Sequence, residues 1–138
     1  MKVLARDSSG GMQFLSGPTL GKGAKTAIST VGAGVLTAAA IVSGLIMRTG
    51  PTGIYNDTTA TAAELLAAMD KPEIGESFDF THVNGVAFAM TMVAGTGVTL
   101  AGVTANAASK VRQYRLTVTN NVSGSEAVTI TGIGEMVA

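Results

Sequence analysis

The sequence after Gly75 alternates between apolar and polar residues with a period of two, and this feature constrains the fold more than any other. In the clearest example, Tyr114, Leu116 and Val118 alternate with polar residues. Successive side chains of a β-strand point to opposite faces of the sheet, so the alternation predicts a strand with one buried face. Similar runs are separated by turns rich in Gly, Asn and Ser, and they lie at residues 78–80, 86–92, 98–100 and 128–130. Short strands of this kind with a single helix predict an all-β fold, a jelly-roll-like β-sandwich.

Residues 36–48 are rich in β-branched and small side chains, and we predict that they form a further strand. Ile41, Leu45 and Met47 would lie on one face of it, and the opposite face is also apolar. A strand that is apolar on both faces lies at the centre of a sandwich or is covered by a neighbouring subunit. The Gly- and Pro-rich residues 49–53 predict a turn after it.

The one predicted helix begins after Thr61. Thr61 and Glu64 have the spacing of a capping box, in which each side chain binds the backbone N–H of the other residue. Leu65, Leu66 and Met69 provide an apolar side. A helix of two to three turns is too short to be stable alone, so we expect it to pack on the sheet.

Residues 1–30 differ from the rest of the chain, and we predict an extended N-terminal arm there, with the β-sandwich domain at 31–138. The arm holds four of the nine basic residues and one acid, and it is rich in glycine. Its few apolar residues cannot offset a backbone entropy cost of roughly 1–2 kcal/mol per residue, so an ordered arm requires a surface to lie against. A tail without a role is the alternative for such a terminus. The residues expected to bind a partner are Met12, Phe14, Leu15, Leu20, Lys22 and Lys25.

The chain is poor in charge. Charged residues make up only 13% of it, against the usual quarter, and the formal net charge is zero. The deficit predicts that other chains cover much of the surface. A neutral chain also lacks the field that attracts nucleic acid, so we expect no nucleic-acid partner.

One uncharged segment is long enough to cross a bilayer. The 22 residues between Lys25 and Arg48 carry no charge. Gly, Ser and Thr interrupt the strongly apolar residues in it, and Gly is a poor helix former. We therefore expect a small-residue linker that leads into a buried strand, and no membrane partner.

The sequence offers few residues that could support catalysis. His82 is the single histidine and cysteine is absent, which excludes thiolate metal sites and Cys–His pairs. A Gly-x-Ser-x-Gly motif for a serine hydrolase is also missing. We expect His82 at the end of a strand, bonded to backbone or water, and Glu73, Glu76 and Asp79 on a solvated strand edge. No enzyme activity, cofactor or metal is predicted.

Four segments resemble small β-structured virion proteins of tailed bacteriophages. The class that they resemble is that of head decoration, or cement, proteins. The segments are GLIMRTGPTG at 44–53, DTTATAAELL at 57–66, GESFDFTHVN at 75–84 and AGTGVTLAG at 94–102. The resemblance extends over about residues 35–134 and does not include the arm.

The resemblance implies a jelly-roll homotrimer on the outer surface of the phage head, bound to the major capsid protein where shell subunits meet and without chemistry of its own. The arms would lie over the capsid protein, where three weak contacts act together through their high effective concentration. The apolar strands would form the oligomer interface, with Ile41, Leu45, Met47, Ala87 and Ala89. The alternatives are a structural or receptor-binding module of a phage tail or fibre, and a ligand-binding jelly roll.

Overall fold

The computed structural model of the chain describes residues 24–137 and, before them, the backbone of two short strands. These two strands, β1 (Leu4–Arg6) and β2 (Met12–Phe14), pair antiparallel. The other strands are β3 (Thr26–Ile28), β4 (Gly34–Leu36), β5 (Leu45–Arg48), β6 (Tyr55–Thr59), β7 (Ser77–Asn84), β8 (Met90–Val93), β9 (Val98–Ala101), β10 (Lys110–Asn120) and β11 (Ala127–Val137). Within the described residues the helices are α1 (Ala38–Ser43) and α2 (Ala62–Ala68).

Strands β3 to β11 form two sheets. The larger sheet has six strands in the order β3-β5-β7-β10-β11-β9, and the smaller has three in the order β4-β6-β8. From β3 to β8 the chain enters the two sheets alternately, so consecutive strands in this part do not pair with each other. All pairs among these six strands are parallel, and β10 then pairs antiparallel with β7 and β11.

A single apolar core lies between the two sheets and the helices. Phe80 of β7 and Tyr114 of β10 stack within it, with 5.1 Å between their ring centroids. Both sheets and both helices contribute further buried side chains, among them Leu36, Ile41, Ile46, Leu65, Met90, Leu116 and Ile130. Because each element buries only one side, none of them can be stable without the others.

Several sequence predictions are confirmed. Tyr114, Leu116 and Val118 are all buried in β10, as their alternation indicates. The capping box of α2 is present: Glu64 N donates to Thr61 Oγ1 at 3.3 Å, and Thr61 N donates to Glu64 Oε2 at 2.9 Å. A turn, predicted between the runs at 86–92 and 98–100, is present at residues 96–97 and leads into β9.

The prediction of one continuous strand over 36–48 is wrong, because helix α1 occupies its middle. Thr37 is the N-cap and accepts a hydrogen bond from Ala40 N at 3.2 Å. Gly44 ends the helix in the left-handed conformation, with φ of 87°, which glycine adopts without steric cost. Between these caps three alanines favour a helix, and strand β5 begins only at Leu45.

The predicted strand over 86–92 is correct only in its second half. Strand β8 begins at Met90, and the residues after Asn84 turn instead. Asn84 Oδ1 accepts a hydrogen bond from Val86 N, and Gly85 N donates to Arg48 O at 2.9 Å. These bonds compete with an extended ladder at this point.

The uncharged segment 26–47 forms short elements. It contains β3, β4, α1 and most of β5, none longer than six residues. Within residues 24–137, no helix has the length and apolar character that a membrane crossing requires.

The protein is a mostly β fold, and its described residues form two short helices rather than the single predicted one. Five of the eight described strand pairs are parallel, whereas jelly rolls are built from antiparallel strands. Residues 26–28, which the sequence analysis assigns to the arm, form β3 and pair with β5.

We expect Thr61→Ala to lower the free energy of unfolding by about 1 kcal/mol, because it removes the N-cap of α2. The change is measured by urea unfolding followed by circular dichroism. Thr52→Ala is the matched control, since Thr52 is an exposed threonine in the turn before β6. Equal losses in the two variants would contradict a stabilising role for the capping box.

Candidate functional site

A cluster of polar side chains lies buried between the two sheets, and we call it the polar centre. It consists of Arg48, Asp57, His82, Asn84 and Asn106, each with 0% of its surface exposed. They lie on β5, β6, β7 and the loop before β10. Burying such groups without partners is costly, so the contacts among them decide whether this packing of the sheets is stable.

The contact between Arg48 and Asp57 is a bidentate ion pair. Arg48 Nε donates to Asp57 Oδ2 at 2.9 Å, and Arg48 Nη2 donates to Oδ1 at 3.0 Å. The guanidinium also donates to the carbonyl oxygens of Thr30, at 2.6 Å, and Gly32. Its Cζ lies 5.0 Å from the centroid of the Tyr55 ring. Arg48 therefore joins the loop between β3 and β4 to both sheets.

Strand β4 passes so close to this ion pair that only glycine fits. Gly34 is the register partner of Asp57. A Cβ atom at Gly34 would lie 2.6 Å from Arg48 Nη2 and 2.9 Å from Asp57 Oδ1, distances that real Cβ atoms do not adopt. The guanidinium of Arg48 therefore packs directly against the backbone of β4.

The imidazole of His82 is held by Asn106. Asn106 Nδ2 lies 2.9 Å from His82 Nδ1 and 2.9 Å from the carbonyl oxygen of His82. An amide NH₂ group only donates, so Nδ1 accepts and the proton of the neutral ring lies on Nε2. Turning the Asn106 amide over would bring its oxygen against the His82 carbonyl. His82 Nε2 points toward Asp57 Oδ2, 3.8 Å away.

Asn84 connects the end of β7 to two loops. Its Nδ2 donates to the carbonyl oxygens of Phe88, at 2.8 Å, and Ala107, at 2.9 Å. Its Oδ1 accepts from the Tyr55 hydroxyl at 2.9 Å. Through Asn84, the segment before β8, the loop before β10 and strand β6 are joined at one point.

The protonation states at the centre follow from burial and from the ion pair. Burial alone raises the pKa of Asp57, but the contacts with His82 and Arg48 outweigh it and hold that pKa below its usual value. The 3.8 Å separation from His82 exceeds hydrogen-bond length, so Arg48 is the main cause. Burial and then the charge of Asp57 raise the pKa of Tyr55 well above its usual range. Asp57 is therefore ionised, and Tyr55 neutral, at neutral pH.

A second set of contacts holds the loop between β9 and β10. Arg112 donates to Val103 O at 3.2 Å and to Glu135 Oε2 at 2.8 Å. The hydroxyl of Tyr114 donates to Thr104 O at 2.8 Å, and burial, the largest cause, raises its pKa. This loop is thereby held against β10 and β11, with Asn106 directed into the polar centre.

The polar centre is arranged as a cross-link. Its carboxylate, guanidinium and imidazole are fully buried and face one another or backbone carbonyls. Within the described residues, no group of His, Cys, Asp and Glu is placed to hold a metal ion. These contacts fix β4, β5, β6, β7 and the loop around Asn106 in position relative to one another.

The predicted partner-binding residues lie mostly outside the described residues. Leu15, Leu20 and Lys22 are not described, and Met12 and Phe14 are described only as part of strand β2. Lys25 is exposed beside β3, and its Nζ lies 3.9 Å from Met47 Sδ.

The predicted interface residues are spread over different environments. Ile41 is fully buried in α1, inside the core of its own chain, and presents no surface to a second chain. Leu45 and Met47 are half-buried on β5. Ala87 and Ala89 are exposed in the segment before β8. The structure therefore does not place Ile41, Leu45 and Met47 on one strand, and Ala87 and Ala89 lie before β8 rather than within a strand.

The other residues singled out in the sequence also have clear positions. His82 lies near the end of β7 as expected. Its ring binds the side chain of Asn106, whereas the expected partner was backbone or water. Glu73, Glu76 and Asp79 are exposed, and Asp79 pairs with Arg115 at 2.7 Å on the neighbouring strand β10.

Sequence reasoning missed Arg48, Asp57, Asn84 and Asn106. One signal for the first two was present: they are the only charged residues between Lys25 and Glu64. Two isolated charges of opposite sign within otherwise apolar and small-residue sequence indicate a buried pair. Neither asparagine carries such a signal, because polar residues are common in turns.

Comparison with known proteins adds no relative. No protein-family model, curated protein or solved structure matches the chain.

We expect Asp57→Asn to lower the free energy of unfolding by about 3–5 kcal/mol, since it leaves the Arg48 charge buried without its partner. Asp79→Asn is the control, because it breaks an Asp–Arg pair that is exposed to solvent, and it should change stability little. Urea unfolding at neutral pH measures both. Adding Arg48→Met to Asp57→Asn should recover part of the loss by removing the unpaired charge. Similar losses for the two aspartates would contradict a special role for the buried pair.

We also expect stability to fall in acid. The depressed pKa of Asp57 means that its contribution is complete above the unfolded-state pKa of about 3.9 and is lost as the pH falls through the folded-state pKa. Urea midpoints measured from neutral pH downward should therefore drop at acid pH, both in the unmodified protein and in Asp79→Asn. Urea midpoints that do not change with pH would show that Asp57 is not the responsible group. A fall in acid that disappears in Asp79→Asn would show the same.

Proposed function

We propose that this chain is a structural virion protein that decorates and stabilises a bacteriophage head. In this proposal it self-associates as a homotrimer on the outer surface of the head, and its N-terminal arm binds the major capsid protein at subunit junctions. It acts by binding alone, without catalysis or a cofactor. The four sequence segments that resemble head decoration proteins supply the identity of the partner.

The observation that supports this proposal best is the polar centre. Arg48, Asp57 and His82 are the kinds of side chain that catalysis uses, yet here they are fully buried and engaged with one another and with backbone carbonyls. Such a network stabilises one arrangement of strands. Two of its atoms, His82 Nε2 and Asn106 Oδ1, have no hydrogen-bond partner, but both are buried and out of reach of a substrate. A protein that reinforces a capsid needs a domain that keeps one conformation under mechanical load.

The arm leaves the folded domain at a sheet edge. Strand β3, which follows the arm, pairs only with β5 and so lies at the edge of the six-stranded sheet. Lys25, directly before it, is exposed. A segment that starts at an edge can extend away from its own domain onto a neighbouring surface.

The jelly-roll topology implied by the resemblance stays a prediction, and the mixed parallel and antiparallel pairing differs from it. The proposed function does not depend on this topology, because arm binding and self-association use surfaces rather than strand order.

We expect removal of residues 1–25 to abolish binding to phage heads while the domain stays folded. The deletion keeps every residue of β3 that pairs with β5, so the urea midpoint should change little. Co-sedimentation with heads that lack their decoration protein measures binding. In the full-length chain, Phe14→Ala with Leu15→Ala should weaken it.

Val122→Ala is the control for these variants, since Val122 is an exposed apolar residue in the loop between β10 and β11. Undiminished binding by the truncated protein would refute the arm as the binding element. Binding to purified tails or fibres, and not to heads, would favour the alternative location in the virion.

A further inference from the structure

The outer face of the three-stranded sheet is exposed and has a regular composition. Val35 of β4, Thr58 of β6 and Val93 of β8 are register partners and form one row across the sheet. Asn56 and Thr91 form the next row. Val35 is 56% exposed and Val93 39%, whereas their neighbours along the strands point into the core.

The strand arrangement makes this exposure unusual. Strands β4, β6 and β8 are all parallel, and all-parallel sheets occur almost only where both faces are covered. The inner face is covered by the core of this chain. Helices α1 and α2 make their main contacts with each other and with β5, β7 and β11 of the six-stranded sheet. Among the described residues, the outer face therefore lacks its usual cover.

Charge is also absent from this side of the protein. The sequence has two long uncharged runs, at 26–47 and 85–109, which include β4 and β8 entirely. The single charged residue of β6 is Asp57, which points inward and binds Arg48. Ile54, which precedes β6, is 79% exposed and lengthens the apolar margin of the face. The exposed charges within the described residues lie elsewhere: Lys25, Glu64, Asp70, Lys71, Glu73, Glu76, Asp79, Arg115 and Glu135.

We propose that a second copy of this chain covers the outer face of β4, β6 and β8, by contact with the same face of that copy. In a symmetric contact, residues near the axis meet their own copies, so any charge there would face a like charge. A contact with a different protein has no such restriction, because that protein could place opposite charges against any charges on this face. The small side chains Thr58, Ala89 and Thr91 let two such faces approach closely.

This inference rests on the self-association part of the proposed function but changes the assembly. A contact between the same face of two copies is isologous and pairs them as a dimer, whereas a homotrimer uses two different surfaces of each copy. The unmodified protein should therefore have the mass of two chains, and a mass of three chains would contradict this contact. The face formed by β4, β6 and β8 differs from the interface that the sequence predicts. Ile41 of the predicted interface is buried in the core, and Ala89 lies only at the margin of this face.

The test is the mass of the full-length protein by light scattering, for the unmodified chain and for Thr58→Lys and Thr58→Glu. Thr58 lies on the central strand of the face, so either charge would meet its own kind and should convert an oligomer to a monomer. Thr117→Lys is the matched control, because Thr117 is a half-buried threonine on β10 in the interior of the other sheet. It should leave the mass unchanged. Val93→Lys, on the edge strand β8, serves if the Thr58 variants fail to fold.

Mixing the two Thr58 variants in equal amounts should restore the oligomer, since Lys then meets Glu. A mixture that stays monomeric, or Thr58 variants with the mass of the unmodified oligomer, would overturn the inference. A monomeric unmodified protein that still binds phage heads would also overturn it and would leave capsid binding intact. If that monomer lost head binding on Thr58→Lys, the face would belong to the shell protein instead.

Discussion

The buried ion pair between Arg48 and Asp57 is the contact on which the arrangement of the sheets depends. A buried pair adds little net stability over apolar residues of the same size, but losing one partner is expensive. The pair requires β5, β6 and the β3–β4 loop in one register, because Arg48 also binds the Thr30 carbonyl. Gly34 lets the backbone of β4 pass beside the pair, where a Cβ atom would lie 2.6 Å from Arg48 Nη2. The pair therefore selects one strand arrangement more than it adds to the total free energy of folding.

This selection matters because the chain weaves between two sheets. From β3 to β8 neighbouring strands along the chain do not pair, so hairpin turns do not set their register. Each parallel pair among β3 to β8 joins segments separated by a helix or a loop and by a strand of the other sheet. Side-chain contacts within the polar centre fix the register instead. Asn84 and Asn106 bind the neighbouring loops to this centre. A fold so dominated by contacts between distant residues is expected to form slowly and cooperatively.

Charged and uncharged residues lie on different parts of the surface, and this division follows the two sheets. The three-stranded sheet and the segment before β8 carry apolar, small and uncharged side chains, while the exposed charges within the described residues occupy α2, its following loop, the six-stranded sheet and its margin. Self-association through the uncharged side and docking through the arm would then use separate parts of the molecule. In the proposed function, the domain between them would transmit force from one contact to the other.

By itself the sequence determined the β class, the buried faces of β7 and β10 and the cap of α2, because these depend on residues only two to four positions apart. It did not reveal α1, since residues 38–43 are compatible with strand or helix until Thr37 and Gly44 cap them and Ile41 enters the core. Of the polar centre, only the isolated charges of Arg48 and Asp57 left a trace. Their pairing, the role of Asn106 and the uncovered face of the small sheet were decided by tertiary structure, because strand pairing alone brings such distant residues together.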